Sequence, residues 1–213
     1  MTKVLAINGS YRDNGVTDQT VEVMIQAVGA KTETILLREH PIAFCLNCRD
    51  CTQQPGDTPG ECVQQDGMRA LIHRIEPADC YLLASPTNFG SATALFKRFM
   101  ERLIVYAYWP WEMNAPQLRK ANAPKKKAVL ISSCAAPGIL GRWIYGVHKQ
   151  LDMTAQTIGA HTVDTLFTGL IAKQSQPILT EPVKAKARAL AEKLINQSTP
   201  RHGKGGVAPS KTR

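Results

Sequence analysis

The chain has 213 residues, 44% of them hydrophobic and 20% charged, with a formal net charge of +9. That size fits one domain whose core needs no covalent staple, and the composition excludes disordered and fibrous classes. No apolar run nears the ~18–20 residues of a membrane span, and the opening stretch Val4–Ile7 is too short for a secretory leader, so a cytoplasmic protein is expected.

In chain order, Lys3–Asn8 is an aliphatic run ending at Gly9 and reads as a buried strand. Residues 18–29 carry Val21, Met24, Ile25 and Val28 at helical spacing, and Lys31–Leu37 reads as a second strand. From about Arg38 to Gln65 the periodicity fails, in a stretch with three prolines and four cysteines. Met68, Leu71, Ile72 and Ile75 then restore a helix. Asp79–Ser85 is a third strand that Pro86 is expected to stop. A helix over 91–105 follows, with Leu95, Phe96, Phe99 and Leu103 inward. Ala128–Ser133 is a fourth strand, 140–157 a helix with Trp143, Ile144 and Val147 in the core, and Thr162–Phe167 a fifth strand. The last helix runs from about Pro182, a residue suited to a first turn, to Asn196.

Five strands alternating with five helices predict an α/β fold: a doubly wound five-stranded parallel sheet with helices on both faces. The natural strand order is 2-1-3-4-5, which opens a ligand crevice at the carboxyl ends of strands one and three. Residues 1–197 form one domain with a cysteine-rich insertion at about 38–65. The basic Gly/Pro/Lys-rich tail, 198–213, is expected to be disordered. That tail holds four of the nine net positive charges. The remaining excess favours anionic ligands such as phosphates and dinucleotides. With no basic helix, RNA-binding motif or helix-turn-helix, no nucleic-acid partner is expected.

The loop after strand one, Asn8 to Thr17, joins a buried strand to a helix N-terminus, where free N–H groups and the dipole favour an anion. Ser10, Asn14 and Thr17 add short polar donors, while Gly9 and Gly15 permit close approach. The loop is neither G-x-G-x-x-G nor a P-loop, which leaves a cradle for a phosphate monoester. Read by itself it is equally a strand–helix turn capped by Thr17 or Asp18. The loop after strand three, Ser85-Pro86-Thr87-Asn88-Phe89-Gly90-Ser91, offers polar groups and one apolar face, and the topology brings it to the same crevice. Ser133-Cys134-Ala135-Ala136-Pro137-Gly138 forms a third wall, small enough for a flat ring to approach the backbone.

Cys45, Cys48 and Cys51 stand as C-x2-C-x2-C, the opening of bacterial-type ferredoxins, and Cys62 follows after ten residues. In a reducing compartment such clustering points to metal or redox chemistry. Three readings stay open: a [4Fe–4S] cluster on Cys45, Cys48, Cys51 and Cys62, a zinc site, or thiols that hold no metal. Cys80 lies within a strand and reads as a core thiol. Cys134, in the third loop, is either redox-active or inert. Tyr106, Tyr108, Trp109 and Trp111 form either a lid or subunit contact, or a plug beneath a long loop. Lys125–Lys127 read as a solvated edge, and the five histidines show no ligand spacing.

These motifs together resemble the flavodoxin-like NAD(P)H-dependent FMN reductase family, in particular the branch containing the iron–sulfur flavoproteins. The likeness spans about residues 3–195. It rests on Gly9-Ser10-x-Arg12-x-x-Gly15-x-Thr17, the cysteine array, Cys62 before Asp66-Gly67-Met68, and Ala78-Asp79 leading to Ser85-Pro86-Thr87. Leu95-Phe96-Lys97-Arg98-Phe99-Met100-Glu101-Arg102 completes it. The resemblance implies FMN, with Ser10, Arg12, Asn14 and Thr17 around its phosphate. Pro86, Thr87, Asn88 and Phe89 would run along the ribityl chain and ring. Asp66-Gly67 departs from a usual Asp-Asp, and Asn88 stands where an aromatic is frequent.

It implies an FMN-dependent oxidoreductase taking hydride from NAD(P)H and passing electrons to a quinone, flavin or other small acceptor. The flavin performs the chemistry, so no catalytic side chain is expected. Backbone amides at 87–89 and 134–138 would stabilise the reduced flavin. A homodimer or homotetramer is implied. Two alternatives accompany this reading: an iron–sulfur flavoprotein acting as an electron carrier, and a metal-stabilised binding or sensor module without enzymatic activity.

Overall fold

The computed structural model describes residues 2–29, 31–137, 145–171 and 175–196. The predicted tail at 198–213, Gly138, Trp143 and Ile144 lie outside the described residues.

Five strands build the main sheet: β1 (Lys3–Asn8), β2 (Lys31–Leu36), β3 (Cys80–Asn88), β4 (Lys126–Ser133) and β5 (Ala160–Thr168). They pair in parallel in the order β2-β1-β3-β4-β5, as expected. Along β1 the side chains alternate between two cores. Leu5 and Ile7 face α2 (Met68–Ile75), α3 (Ala94–Arg102) and α4 (Val147–Thr157). Val4 and Ala6 face α1 (Val16–Val28) and α5 (Glu181–Asn196). Because both faces are covered, the central strands carry near-continuous apolar runs such as Tyr81–Ala84, all wholly buried.

Two boundaries differ from expectation. Pro86 does not stop β3: it pairs with Ser133 of β4, and Thr87–Asn88 continue into a hairpin with the short strand Ser91–Ala92. The carbonyl of Ala84 accepts from Gly9 N–H at 2.8 Å, so that side of β3 faces β1. Two residues on, Pro86 points the same way after β1 has ended, and its missing N–H leaves no ladder bond unmade. Consequently α3 starts at Ala94 rather than 91, capped by Thr93, whose Oγ1 accepts from Phe96 N–H at 3.1 Å. The helix tightens at its end into the 3₁₀ turn Leu103–Tyr106.

Gly9 serves packing. A Cβ there would lie 2.7 Å from Phe96 Cβ, deep under α3. Gly9→Ala is therefore expected to destabilise the chain by about 1–3 kcal/mol through overpacking, measured by urea unfolding.

Lys126 is also unlike a solvated edge residue. Its Nζ donates to Glu76 O at 2.7 Å and Tyr81 Oη at 3.2 Å, at the amino-terminal end of the sheet. Burial there pushes its pKa down against the pull of Glu76. No described helix is long and apolar enough to cross a membrane.

Candidate functional site

At the carboxyl ends of β1, β3 and β4 lies a cleft of about 560 Å³, within the roughly 300–1,000 Å³ usual for small-molecule sites. The first loop contributes Ser10, Arg12, Gly15 and Thr17 to its wall. The carboxyl end of β3 contributes Pro86 and Asn88, and β4 contributes Ser133. Seven of the residues marked by the sequence are thus brought together. The sequence reading did not mark Tyr11, Thr93, Leu95, Ile171 and Pro177, which also line the cleft. Thr93 had a legible signal, a hydroxyl residue three before a buried phenylalanine at a helix start.

α1 begins at this cleft with Gly15 as its cap and no side-chain capping bond. Its first N–H groups are thereby left for a ligand, the arrangement that holds a phosphate. Neither Thr17 nor Asp18 caps the helix. Thr17 Oγ1 instead lies 2.9 Å from Ser133 Oγ, joining the first and third loops. Thr93 Oγ1 donates to Gly9 O at 2.7 Å, joining the first loop to α3. Arg12 donates to the carbonyl of Ser175, which draws the segment carrying Pro177 over the loop. Gln19 fixes that segment too, donating to Pro177 O at 3.0 Å and accepting from Leu179 N–H at 2.9 Å.

The other marked residues stand behind the wall. Asn14, in a left-handed conformation, donates its N–H to Asp18 Oδ2 at 3.1 Å. Ser85 is fully buried, and its hydroxyl accepts from Thr93 N–H at 3.1 Å. Thr87 Oγ1 lies 3.0 Å from Ser132 Oγ. Cys134 is buried and donates to Ala136 O at 3.2 Å, and burial pushes its thiol pKa up. These four brace the loops.

Phe89 stands fully exposed at the tip of the Asn88–Ser91 hairpin, with φ of +48°, followed by Gly90 at +72°. A two-residue turn of this hand favours Asn-Gly, and a bulky side chain in it is strained. Phe89→Gly is expected to stabilise the chain by about 1 kcal/mol, read as a higher urea midpoint.

The cysteine insertion folds back on itself. Gly60 packs against Cys51 so closely that a Cβ would sit 1.9 Å from the Cys51 carbonyl oxygen, and Gly60 N–H donates to Val105 O at 2.8 Å. This returns Cys62 towards the first three cysteines. Burial, then the neighbouring Cys62, Cys45 and Cys48, push the Cys51 thiol up to about 11. All four are free thiols. Arg102, 1% exposed, donates to Cys62 Sγ at 3.5 Å while Asp66 holds it by two bonds of 2.6 and 3.1 Å. Among the described residues no three His, Cys, Asp or Glu side chains stand close enough to hold a metal ion. One zinc ion would need its sulfurs within about 4 Å of one another, so the zinc reading does not fit the side chains as they stand. A four-iron cluster spreads its thiolates further, and the donor type and the adjoining buried cations suit it.

The aromatic segment belongs to this insertion rather than to the cleft. The Arg49 guanidinium lies 3.9 Å from the Trp109 ring centre and 4.6 Å from that of Trp111. It also donates to the Trp109 and Pro110 carbonyls at 2.6 and 2.9 Å. Trp109 is half-buried and clamps the Cys48–Cys51 turn, whereas Trp111, 63% exposed, covers Arg49 from the surface.

Comparison with known proteins agrees with this geometry. The family model described as NADPH-dependent FMN reductase matches residues 2–168. An iron–sulfur flavoprotein of Archaeoglobus fulgidus is 30% identical over 111 residues, 51% of this chain and 48% of that protein. One of Methanocaldococcus jannaschii is 31% identical over 103 residues, 47% of this chain and 51% of that protein. The matches thus span about half the length of these curated relatives. An FMN-dependent NADH-azoreductase from Bacillus anthracis in complex with FMN superposes with a TM-score of 0.66 at 12% identity, covering 92% of this chain and all of that one. An NAD(P)H:quinone oxidoreductase from Methanothermobacter marburgensis gives 0.61 at 13%, covering 93% and 98%. At these identities the superpositions establish the fold.

Proposed function

We propose, on the premise that the chain belongs to the NADPH-dependent FMN reductase family, that it is a cytoplasmic FMN-dependent oxidoreductase. It takes hydride from NAD(P)H and passes electrons to a quinone, flavin or other small acceptor. The cleft across the ends of β1 and β3 carries this reading, because its helix N-terminus, hydroxyls and flat Pro86–Asn88 wall suit a phosphorylated planar ligand. Ser10 and Thr17 would bind the phosphate with the first N–H groups of α1. Arg12 would swing from the Ser175 carbonyl to close on it. Pro86 and Asn88 would line the ribityl chain, and Phe89, held out by its strained turn, would flank the ring. Bound FMN supplies the hydride-accepting chemistry; the chain binds, orients and shields it from water. The acceptor side would lie at the interface of a homodimer or homotetramer, where a second copy would cover the exposed Tyr11 and Phe89.

A second reading, an iron–sulfur flavoprotein acting as an electron carrier, is favoured by one feature: the insertion folds Cys62 back towards Cys45, Cys48 and Cys51. An ultraviolet–visible spectrum of anaerobically purified protein, with iron and sulfide assays, tests both. Flavin bands without iron support the reductase, and added broad absorbance with iron and sulfide supports the carrier. Colourless protein that takes up no FMN overturns both and leaves a binding module.

A further inference from the structure

The cysteine insertion encloses a cation that carbonyl groups alone hold. Arg119 follows the short strand Gln117–Leu118 and is 8% exposed. Its Nε donates to Val105 O at 3.1 Å and its Nη1 to Gly56 O at 3.1 Å. Its Nη2 donates to Cys51 O at 3.2 Å and Gln54 O at 2.9 Å. Carbonyl dipoles solvate a guanidinium but leave its unit charge in place, and an unbalanced charge out of water is strongly unfavourable.

The other arginines around this insertion are balanced differently. Arg102 has Asp66, and Arg69 has Glu61. Arg49 lies over the two indole rings and Arg98 over the Phe44 ring. Among the described residues Arg119 has no carboxylate within ion-pair distance. Of the four cysteines it bonds Cys51, whose carbonyl oxygen lies 3.2 Å from Nη2. The guanidinium cannot retreat, since Gly60 closes over it: a Cβ at Gly60 would lie 3.2 Å from Nη2.

We propose that Arg119 is the fixed counter-charge of the cysteine centre, balancing the thiolates of Cys45, Cys48, Cys51 and Cys62 when they ligate an iron–sulfur cluster. The inference rests on the iron–sulfur reading given above. It makes the pocket preorganised: the positive charge and the folded-back loop are in place before any anion arrives, at the expense of the metal-free state.

The test compares full-length wild type, R119Q and R119K, each reconstituted anaerobically with iron and sulfide and each stripped of metal. The readouts are thermal midpoint and the cluster's midpoint potential. Reconstituted R119Q is expected to have a lower potential than wild type, with R119K close to wild type, because a nearby cation favours the more negative reduced cluster. R119Q should lose stability in the loaded state only, and stripped R119Q should melt no earlier than stripped wild type. Equal losses in both states, failure of stripped R119Q to fold where stripped wild type folds, or an unchanged potential would each overturn the proposal. Those outcomes would make Arg119 an organiser of carbonyls alone. Iron and sulfide assays on wild type address the underlying reading separately. Wild type that takes up neither overturns the cluster, and Arg119's assignment with it, before any variant is made.

Discussion

Arg102→Met is expected to destabilise the folded chain by about 3–5 kcal/mol, the cost of leaving one partner of a buried ion pair alone. The guanidinium sits at the end of α3 with 1% exposure, and its hydrogen bonds run to the segment leading into α2. It donates to both Asp66 oxygens, to Ala43 O at 2.9 Å and to Cys62 Sγ. Asp66 in turn accepts from Ala43 N–H at 2.8 Å and Met68 N–H at 3.0 Å, so it starts α2 and closes the base of the insertion. Methionine fills the volume but leaves the carboxylate and the Ala43 carbonyl without their donor. Urea unfolding of R102M, D66N and the double variant checks this. The double variant should lose less than the sum of the two singles, because both charged groups then leave together.

The same pair predicts an acid limb. Burial alone would raise Asp66, but the bonds from Arg102 and from the Ala43 and Met68 amides overrule it and hold the carboxyl at about 2, against an ordinary 3.8. A depressed carboxyl stabilises the fold above its unfolded pKa. That contribution is complete above about pH 4 and disappears as pH falls towards 2. Stability of R102M should be flatter across that window than that of wild type.

The sheet was legible because its strands are buried on both faces and therefore spell continuous apolar runs, while α1, α2 and α3 show helical spacing around Met24, Leu71 and Phe96. Strand order then located the cleft before any single loop could. The residues that failed to read were those whose direction depends on distant partners. Ser85 and Thr87 look like ligand donors in sequence, yet their hydroxyls meet Thr93 and Ser132, and Asn14 gives its backbone N–H to Asp18. Arg102 and Arg119 carry no local sequence signal for burial. Their burial is decided by Asp66 and by the Cys51 loop, 36 and 68 residues away. Pro86 read as a strand stop because the end of β1, which frees it from the ladder, lies in another segment.

Asp18→Ala is expected to weaken FMN binding by about 10–100-fold while the chain still folds, because Asp18 holds the phosphate loop from beneath without lining the cleft. Its Oδ1 accepts from Asn8 Nδ2 at 2.6 Å, and its Oδ2 accepts from Asn14 N–H at 3.1 Å. Arg38 bonds it at 3.1 Å and also donates to Ser10 O at 3.2 Å. Asn8 completes the lattice by accepting from Ser10 N–H at 2.8 Å. One carboxylate thus fixes both ends of the loop whose hydroxyls and amides face the cleft. Alanine would leave Arg38, itself 13% exposed, with Asp13 at 3.1 Å, a residue 94% exposed and worth little as a partner. Bonds to charged groups contribute about 1.5–3 kcal/mol each, and each tenfold in affinity is about 1.4 kcal/mol. Loss of even one of these from the loop's order is enough for the stated change. Fluorescence titration of the FMN-free protein reads the affinity, and urea unfolding reads the fold. Asp18→Asn, which keeps one acceptor oxygen for Asn8 or Asn14 but not both and loses the charge facing Arg38, should fall between wild type and alanine. Affinity unchanged in D18A would mean that the first N–H groups of α1 hold the phosphate without help from the loop's anchoring.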